Sequence, residues 1–251
     1  MKIVSFNIRG DFGVDGANNF DHRKPLILQR IRTSAPDIVG FQAVMPHMAA
    51  WLQESFPAYT VVGCGRGADL QGEQMTVMFR RDRFSLLEMQ TFWLSPTPHV
   101  PGSRFAEQSH CPRTATALLL LENATGRAFR VVNTHLDHEG SLARQLGLQQ
   151  VLTHIDHAAL LPDVPVVLMG DFNAPPDSPE LAVMADFPGY VHATANLGTT
   201  FHAFMADPDG PQIDYIFLRD FQTVSKAEKW QDTNGPVCLS DHYPVCVDAQ
   251  L

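Results

Sequence analysis

The 251-residue sequence predicts an α/β fold, a four-layer αββα sandwich in which two mixed, mostly antiparallel sheets are flanked by helices. Short apolar runs with strand character recur along the chain, and helical segments fall between them. The proline- and glycine-rich stretches 95–102, 171–179 and 206–211 are each bounded by strand or helix signals, so they are interpreted as loops and not as domain linkers. We therefore expect a single domain over residues 1–251.

The predicted strands are short, as stacked sheets require. They cover residues 2–8, 37–42, 59–63, 75–80, 84–94, 114–121, 128–136, 164–170, 212–218 and 244–248. Residues 122–127 contain Asn123 and Gly126, residue types that favour a tight turn, so the strands on either side are predicted to form an antiparallel hairpin.

Helices are predicted over residues 24–32, 48–56 and 141–160, where they would cover the outer faces of the sheets. In the first of them Pro25 is expected in the first turn, and Leu26, Ile27 and Ile31 share one side. This arrangement gives each sheet one face against the other sheet and one face under helices.

The composition narrows the class of protein. No apolar run approaches the length of a membrane span, and the start of the chain reads directly into a strand instead of a signal peptide, so we expect a cytoplasmic protein. Eighteen Lys and Arg residues against 27 Asp and Glu residues argue against a long basic groove for nucleic acid. The four cysteines show no CxxC spacing, so we expect free thiols and no structural zinc.

Polar clusters stand at the ends of several apolar strands. Each cluster alone could be an ordinary turn or a satisfied structural group. Together they supply oxygen ligands suited to Mg²⁺ or Mn²⁺, a histidine able to donate to phosphate and carboxylates able to orient water, which are the needs of phosphoryl transfer. The clusters are Ser5–Arg9, Asn133–His138, Gly170–Asn173, Ser240–Pro244 and the strand-embedded Asp214.

The order and residue identities of these clusters, from Asn7 to His242, resemble the motifs of the endonuclease/exonuclease/phosphatase superfamily over nearly the whole chain. Residues 6–9, 23–25, 92–95 and 98–103 are similar to its bacterial and deadenylase-like branch. The resemblance implies the sandwich fold and hydrolysis of phosphate esters with Mg or Mn as cofactor.

The resemblance also implies roles for individual residues. Asn7 and Asp241 would lie at the metal, and His135 and Asn173 would contact phosphate oxygens. The remaining roles form an acid–base set: Asp171 would orient or deprotonate the attacking water, and His242 would face the scissile phosphate with Asp214 hydrogen-bonded to its other ring nitrogen.

Ala43 departs from the family pattern, because the family has a metal-binding glutamate at this position. Alanine can neither coordinate nor neutralise a divalent cation, so metal affinity should fall. Three explanations are open: an engineered inactive variant, which the intact state of the other positions favours; a natural protein that has lost the activity; or a replacement carboxylate such as Asp11 or Glu73.

Further cations are candidates for substrate contacts. Arg113 stands at the start of a strand, where the similar branch has an arginine near the substrate; the alternative is a solvated cation at a strand end. Arg9 and Arg23 are weaker candidates, and His138 is a candidate for lining the pocket.

The first functional hypothesis is a Mg- or Mn-dependent phosphodiesterase or phosphatase, acting on a small phosphorylated compound such as a phosphosugar, a lipid headgroup or a nucleotide, and present here with a disabled metal site. One alternative is a DNA or RNA nuclease of the same superfamily, which the acidic balance disfavours. Another is a non-catalytic phosphate-binding protein on the same fold. Specificity is expected in the irregular segments 63–73, 97–111 and 196–210.

Overall fold

The computed structural model describes residues 1–251, apart from the side chains of residues 223 and 224. It contains two large sheets and a small two-stranded one. The strands are β1 (Lys2–Asn7), β2 (Ile38–Val44), β3 (Tyr59–Val62), β4 (Gln74–Arg80), β5 (Phe84–Trp93), β6 (Thr114–Glu122), β7 (Arg127–His135), β8 (Val166–Asp171), β9 (Tyr190–His192), β10 (Asp214–Arg219), β11 (Thr223–Val224), β12 (Glu228–Lys229), β13 (Thr233–Asn234), β14 (Val237–Cys238) and β15 (Val245–Gln250).

The α-helices are α1 (Phe20–Ser34), α2 (Pro46–Ser55), α3 (Ser141–Asp156) and the single turn α4 (Pro179–Ala182), and short 3₁₀ turns occur at Gly16–Asn18, Val183–Asp186 and Ala203–Met205. The seven-stranded sheet has the order β11-β15-β1-β2-β4-β3, with β12 also pairing with β15, and the six-stranded sheet has the order β5-β6-β7-β8-β10-β9. The predicted fold class is confirmed.

Both sheets are mixed. β1 runs parallel to β2 and β7 runs parallel to β8, whereas the other pairs in the two large sheets are antiparallel. The predicted hairpin is confirmed, since β6 and β7 pair in antiparallel register with Glu122 opposite Arg127.

Strand register brings chemically active residues to one edge of the sandwich. His135 at the end of β7 lies opposite Asp171 at the end of β8, and Asp214 at the start of β10 lies opposite Asp171 on the other side. In the other sheet, Asn7 at the end of β1 lies opposite Gln42. The strand ends of both sheets therefore supply the floor of one site.

Three apolar clusters fill the layers. Ile3, Leu118 and Met169 belong to the cluster between the sheets. The other two clusters lie under helices: Phe41, Ile27 and Met48 belong to the one that joins the seven-stranded sheet to α1 and α2, and Leu168, Leu148 and Val151 to the one that joins the six-stranded sheet to α3.

A polar bridge joins the two sheets near the site. Gln42 Nε2 donates to Asn133 Oδ1 over 2.7 Å, and Asn133 Nδ2 donates to the backbone oxygens of Phe41 and Thr76 over 2.8 and 3.1 Å. Both side chains are fully buried, so these bonds are shielded from water and specify how the sheets meet.

Some boundaries differ from the predictions. The helix predicted from residue 24 begins at Phe20, which places Pro25 inside the helix and not in its first turn. The missing proline N–H leaves the carbonyl of Asp21 without its helical donor, which is tolerated because Asp21 is exposed to water. The helix predicted to reach residue 160 ends at Asp156.

Within the described part of the chain, no helix combines the length and hydropathy that crossing a membrane requires.

Candidate active site

A cavity of about 400 Å³ opens where the strand ends of the two sheets meet. A larger cavity of about 600 Å³ lies between α1 and β4, but its walls are mainly apolar and, among the described residues, it holds no cluster of histidines and carboxylates. The smaller cavity is lined by Asn7, Arg9, Gly10, Phe12, Ala43, Arg66, Glu73, Cys111, Arg113, His135, His138, Asp171, Asn173, Phe201, Asp241 and His242.

Asp171 is the carboxylate around which the polar groups of the cavity converge. Its Oδ2 accepts a hydrogen bond of 2.8 Å from Asn7 Nδ2, and its Oδ1 accepts one of 2.9 Å from the backbone N–H of Asn173. The same Oδ2 lies 3.4 Å from His135 Nε2 and 3.8 Å from His242 Nε2. Burial and the nearby Asp214 carboxylate raise the pKa of Asp171, which suits a group that accepts a proton.

His242 is held between carboxylates. Its Nδ1 lies 2.9 Å from Asp214 Oδ2, and Asp214 is 1% exposed. Burial alone would lower the pKa of His242, but the carboxylates of Asp214 and Asp171 raise it, so the imidazolium form is favoured. Because the Asp171 carboxylate lies 3.8 Å from His242 Nε2, the protonation of each group depends on that of the other. The predicted Asp214–His242 contact is present.

His135 differs from His242 in its charge state. Burial, together with the guanidinium groups of Arg113 and Arg66, lowers the pKa of His135 well below its ordinary value. A neutral imidazole donates through one nitrogen only. His135 can therefore offer one hydrogen bond to a ligand oxygen, but it is not a source of positive charge.

Asn7 and Asp241 provide oxygen atoms on the side of the cavity near Ala43. Asn7 Oδ1 accepts a hydrogen bond of 3.0 Å from the backbone N–H of Arg9, and Asp241 Oδ1 accepts one of 3.0 Å from Ser240 Oγ. Asp241 Oδ2 lies 3.5 Å from Arg9 Nη1. One carboxylate and one amide oxygen fit Mg²⁺, which is often held by one or two carboxylates together with substrate oxygens and water.

Ala43 lies on the cavity wall in a conformation that a β-strand does not normally have. Its φ is 60°, and the register of β2 against β4 shifts between Phe41 and Val44. A left-handed alanine is unfavourable by about 1 kcal/mol or more. The bulge lies in the wall of the cavity that Asn7 and Asp241 also line, so a longer side chain at residue 43 would start beside these two residues.

The two candidate replacement carboxylates are in different places. Glu73 lines the cavity, but its Oε1 is bound to Arg66 Nη2 over 2.7 Å. Asp11 is bound to His47 Nε2 over 3.0 Å and is absent from the cavity lining given by the described residues. Glu73 is therefore the better placed of the two.

The predicted substrate cations divide into two groups. Arg9, Arg113 and His138 line the cavity. Arg23 does not, which corrects the expectation for it: it is fully buried and donates to the backbone oxygens of Asn18, Ile8, Leu239 and Arg9. Arg23 ties the start of α1 to the end of β1, and its guanidinium is used by the fold.

Asn173 has a positive φ of 49°, and its Nδ2 donates to the backbone oxygen of Leu136 over 3.0 Å. The residue still lines the cavity, as expected for a phosphate contact. Arg66 and Phe201 lie in the segments 63–73 and 196–210, where specificity was expected, but neither was singled out, and Phe12 was missed. Loops bring all three to the cavity, and their own neighbourhoods carry no strand-end signal. An arginine and a glutamate seven positions apart in the glycine-rich segment 63–73 were the one available signal.

Residues 4–242 match the model of the Endonuclease/Exonuclease/phosphatase family. Comparison with curated protein sequences found no match.

Several solved structures are similar over nearly their full lengths. An endonuclease/exonuclease/phosphatase from Bacteroides vulgatus is 32% identical, with a TM-score of 0.93 and coverage of 100% of this chain and 98% of that chain. A mannosyl-6-phosphatase from Bacteroides thetaiotaomicron is 26% identical, with a TM-score of 0.89 and complete coverage of both chains. The human Nocturnin catalytic domain, solved with a sulfate anion, is 20% identical with a TM-score of 0.78 and coverage of 100% and 93%, which shows a shared fold.

Proposed function

The chain belongs to the Endonuclease/Exonuclease/phosphatase family, and on that premise we propose that it is a divalent-metal-dependent hydrolase of a small phosphorylated compound. The observation that carries the proposal is the arrangement of Asp171, His242 and Asp214 beside Asn7 in one cavity. Asp171 Oδ2 and His242 Nε2 lie 3.8 Å apart in this cavity, which supports a proton acceptor and a proton donor that act at one phosphate group.

The residues of the cavity can share the chemistry as follows. Asp171 accepts a proton from the attacking water, and the amide of Asn7 keeps its carboxylate in place. His242, held by Asp214 through Nδ1, donates from Nε2 to a phosphate oxygen. Other donors that line the cavity, including His135, stabilise the negative charge that grows in the transition state.

Asn7 and Asp241 would hold the metal, which we propose to be Mg²⁺ or Mn²⁺. When bound, such an ion neutralises charge on the phosphate oxygens and stabilises the leaving alkoxide. Ala43 removes one carboxylate from this set, so we propose that the chain as given has a disabled metal site and low turnover.

A phosphosugar, a lipid headgroup or a nucleotide would suit the size of the cavity. The relative named a mannosyl-6-phosphatase supports a phosphosugar. A nuclease is the less favoured alternative, because acidic residues exceed basic ones across the chain. A non-catalytic phosphate-binding protein is the other alternative, and Ala43 is the observation in its favour.

The test is hydrolysis of a panel of phosphate monoesters and diesters with Mg²⁺ and Mn²⁺, comparing the chain with its Ala43→Glu variant. We expect Ala43→Glu to raise metal-dependent turnover by about 10²-fold or more, in line with the loss of several kcal/mol of transition-state stabilisation when a metal is bound poorly. If both proteins bind phosphate compounds but neither hydrolyses any member of the panel, the chain is a binding protein.

A further inference from the structure

Two arginines share one wall of the candidate active site. Arg66, from the segment 63–73, and Arg113, just before β6, both line the cavity, and their side chains are only 13% and 5% exposed. Burial and the charge of Arg66 lower the pKa of Arg113, so the two guanidinium groups are near enough to repel each other. Glu73 and Asp137 each lie at ion-pair distance from one of the two guanidinium groups, and an anion in the cavity would add a further favourable partner for both.

Each arginine has contacts with neighbouring side chains or backbone atoms. These contacts leave at least one nitrogen of its guanidinium group without a hydrogen-bond partner. Glu73 Oε1 binds Arg66 Nη2 over 2.7 Å, and Trp93 Nε1 donates to the backbone oxygen of Arg66 over 2.7 Å. Asp137 Oδ1 lies 3.5 Å from Arg113 Nε, and His138 Nδ1 lies 2.8 Å from Arg113 Nη2.

The Nη1 atom of both arginines is buried and has no hydrogen-bond partner among the residues that the structure describes. An unpaired buried charged donor is costly, so positions like these mark a missing acceptor. Guanidinium groups favour phosphate and carboxylate oxygens in planar, two-point contacts. The two arginines therefore form a built site for an anionic group, which we call the arginine wall.

The arginine wall provides more donors than a phosphate diester can use. A diester has two terminal oxygens and one negative charge, whereas a monoester has three terminal oxygens and a charge close to −2 at neutral pH. Arg66 and Arg113 both bring positively charged donors to the cavity, which His242 also lines.

We propose that Arg66 and Arg113 bind the terminal oxygens of the substrate phosphate and that the cavity thereby selects phosphate monoesters over diesters. The proposal rests on the proposed function, because it assumes that the cavity receives the scissile phosphate. It makes Arg66 a substrate-binding residue and leaves the leaving group of the monoester to project toward the open side of the cavity.

The test is calorimetric binding to the unmodified chain with Mg²⁺ present, using phenyl phosphate and its diester counterpart, methyl phenyl phosphate. These ligands share the aryl group and differ in one ester bond. We expect the monoester to bind at least about tenfold more tightly, which corresponds to about 1.4 kcal/mol. The variants Arg66→Met and Arg113→Met should each remove most of that preference by weakening the monoester alone.

Arg130→Met is the matched control, since Arg130 is also a buried arginine but lies on β7 with its Nη2 bound to the backbone oxygen of Leu160. It should keep the preference. Arg66→Lys provides a milder change if Arg66→Met unfolds, and thermal unfolding of each variant shows which case applies. Equal binding of the two ligands to the unmodified chain, or a preference that survives both Arg→Met variants in folded protein, overturns the proposal.

Binding also separates this proposal from the proposed function. A tenfold preference for the monoester without any hydrolysis by the Ala43→Glu variant would support phosphate binding by the arginine wall and would contradict the proposed hydrolase activity. If that variant hydrolyses diesters as fast as monoesters and shows no binding preference, the proposed selectivity of the arginine wall is contradicted and the proposed hydrolase activity is supported.

Discussion

At the scale of single residues, the position of His242 is set by partners on both ring nitrogens. Asp214 Oδ2 lies 2.9 Å from Nδ1, while Asn7 Nδ2 and Asp171 Oδ2 lie 3.3 and 3.8 Å from Nε2. Asp214 does not line the cavity as the described residues form it, so we propose that it acts through His242 as a positioning residue. Its carboxylate keeps the histidine protonated and in one orientation.

We predict that Asp214→Asn, made in the Ala43→Glu protein, lowers kcat by about 10²- to 10⁴-fold and leaves KM within a few fold. Removing the carboxylate should also lower the pKa of His242, so the alkaline limb of the pH–rate profile should move to lower pH. Steady-state kinetics across pH measure both effects.

Asp156→Asn is the control for that measurement, because Asp156 pairs with Arg219 at the exposed surface. It should change neither kcat nor the pH profile. A folded Asp214→Asn protein with unchanged kcat and an unchanged profile would contradict the positioning role.

The predicted site residues that the structure brings together include several at strand ends. Asn7, His135 and Asp171 are the last residues of β1, β7 and β8, and neighbouring strand ends lie close together by construction. Residue-level prediction failed for Arg23, whose partners are backbone oxygens distant in sequence. The sequence alone does not show whether a cation faces a cavity or the backbone.

At the scale of elements, one carboxylate organises the turn between β7 and α3. Asp137 is buried, and its oxygens accept hydrogen bonds from the backbone N–H groups of Ser109, Glu139 and Gly140 and from Ser109 Oγ. Burial alone would raise the pKa of Asp137, but the hydrogen bonds from Ser109 and Gly140 and the charge of Arg113 lower it to about 2. Asp137 therefore fixes the loop that carries Cys111 to the cavity wall.

This lowered pKa predicts a pH-dependent contribution to stability. A carboxylate with a depressed pKa in the folded protein stabilises it fully above its ordinary pKa of 3.8, and the contribution is lost as pH falls toward 2. The free energy of unfolding should therefore gain an acid dependence of roughly 2 kcal/mol from Asp137 between pH 5 and pH 2.

Urea unfolding at a series of pH values measures this dependence, which Asp137→Asn should abolish. Ser109→Ala removes one of the hydrogen bonds and should reduce the dependence only partly. Identical pH dependence in the unmodified protein and in Asp137→Asn would show that Asp137 is not the group responsible.

The longer strands were predictable because a pattern of apolar residues can be recognised only over several positions. β5, β6, β7 and β8 each show a run of apolar residues long enough to recognise, whereas β11 to β14 have two residues each and carry no pattern. The bulge in β2 was not predicted either, since it is defined by pairing with β4 and not by the sequence of β2 itself.

At the scale of the whole molecule, the site depends on how the two large sheets pack against each other. Asn7, Asp241 and Ala43 belong to the half of the molecule built around the seven-stranded sheet, and His135, Asp171 and Asp214 come from the six-stranded sheet. The bond between Gln42 and Asn133 fixes the sheets beside this junction. The resemblance to a family predicted which residues would lie together. Hydrophobic periodicity and residue spacing could not predict this, because the residues are distributed along the chain from residue 7 to residue 242.

The arginine wall shows what such reasoning leaves out. Arg66 and Arg113 are 47 positions apart. Arg113 was a candidate substrate contact and the segment 63–73 was expected to influence specificity, but the sequence did not pair the two arginines. The unpaired Nη1 atoms of both arginines depend on the three-dimensional arrangement of their neighbours.

The central claim is that phosphate esters are hydrolysed in the cavity between the two sheets. The most direct test is the metal-dependent turnover of a phosphate monoester by the Ala43→Glu protein with and without the further change His242→Asn, each verified as folded by thermal unfolding. The claim predicts that His242→Asn reduces kcat by about 10²- to 10⁴-fold. Turnover that persists within a few fold, or an Ala43→Glu protein that never hydrolyses the ester, would contradict it.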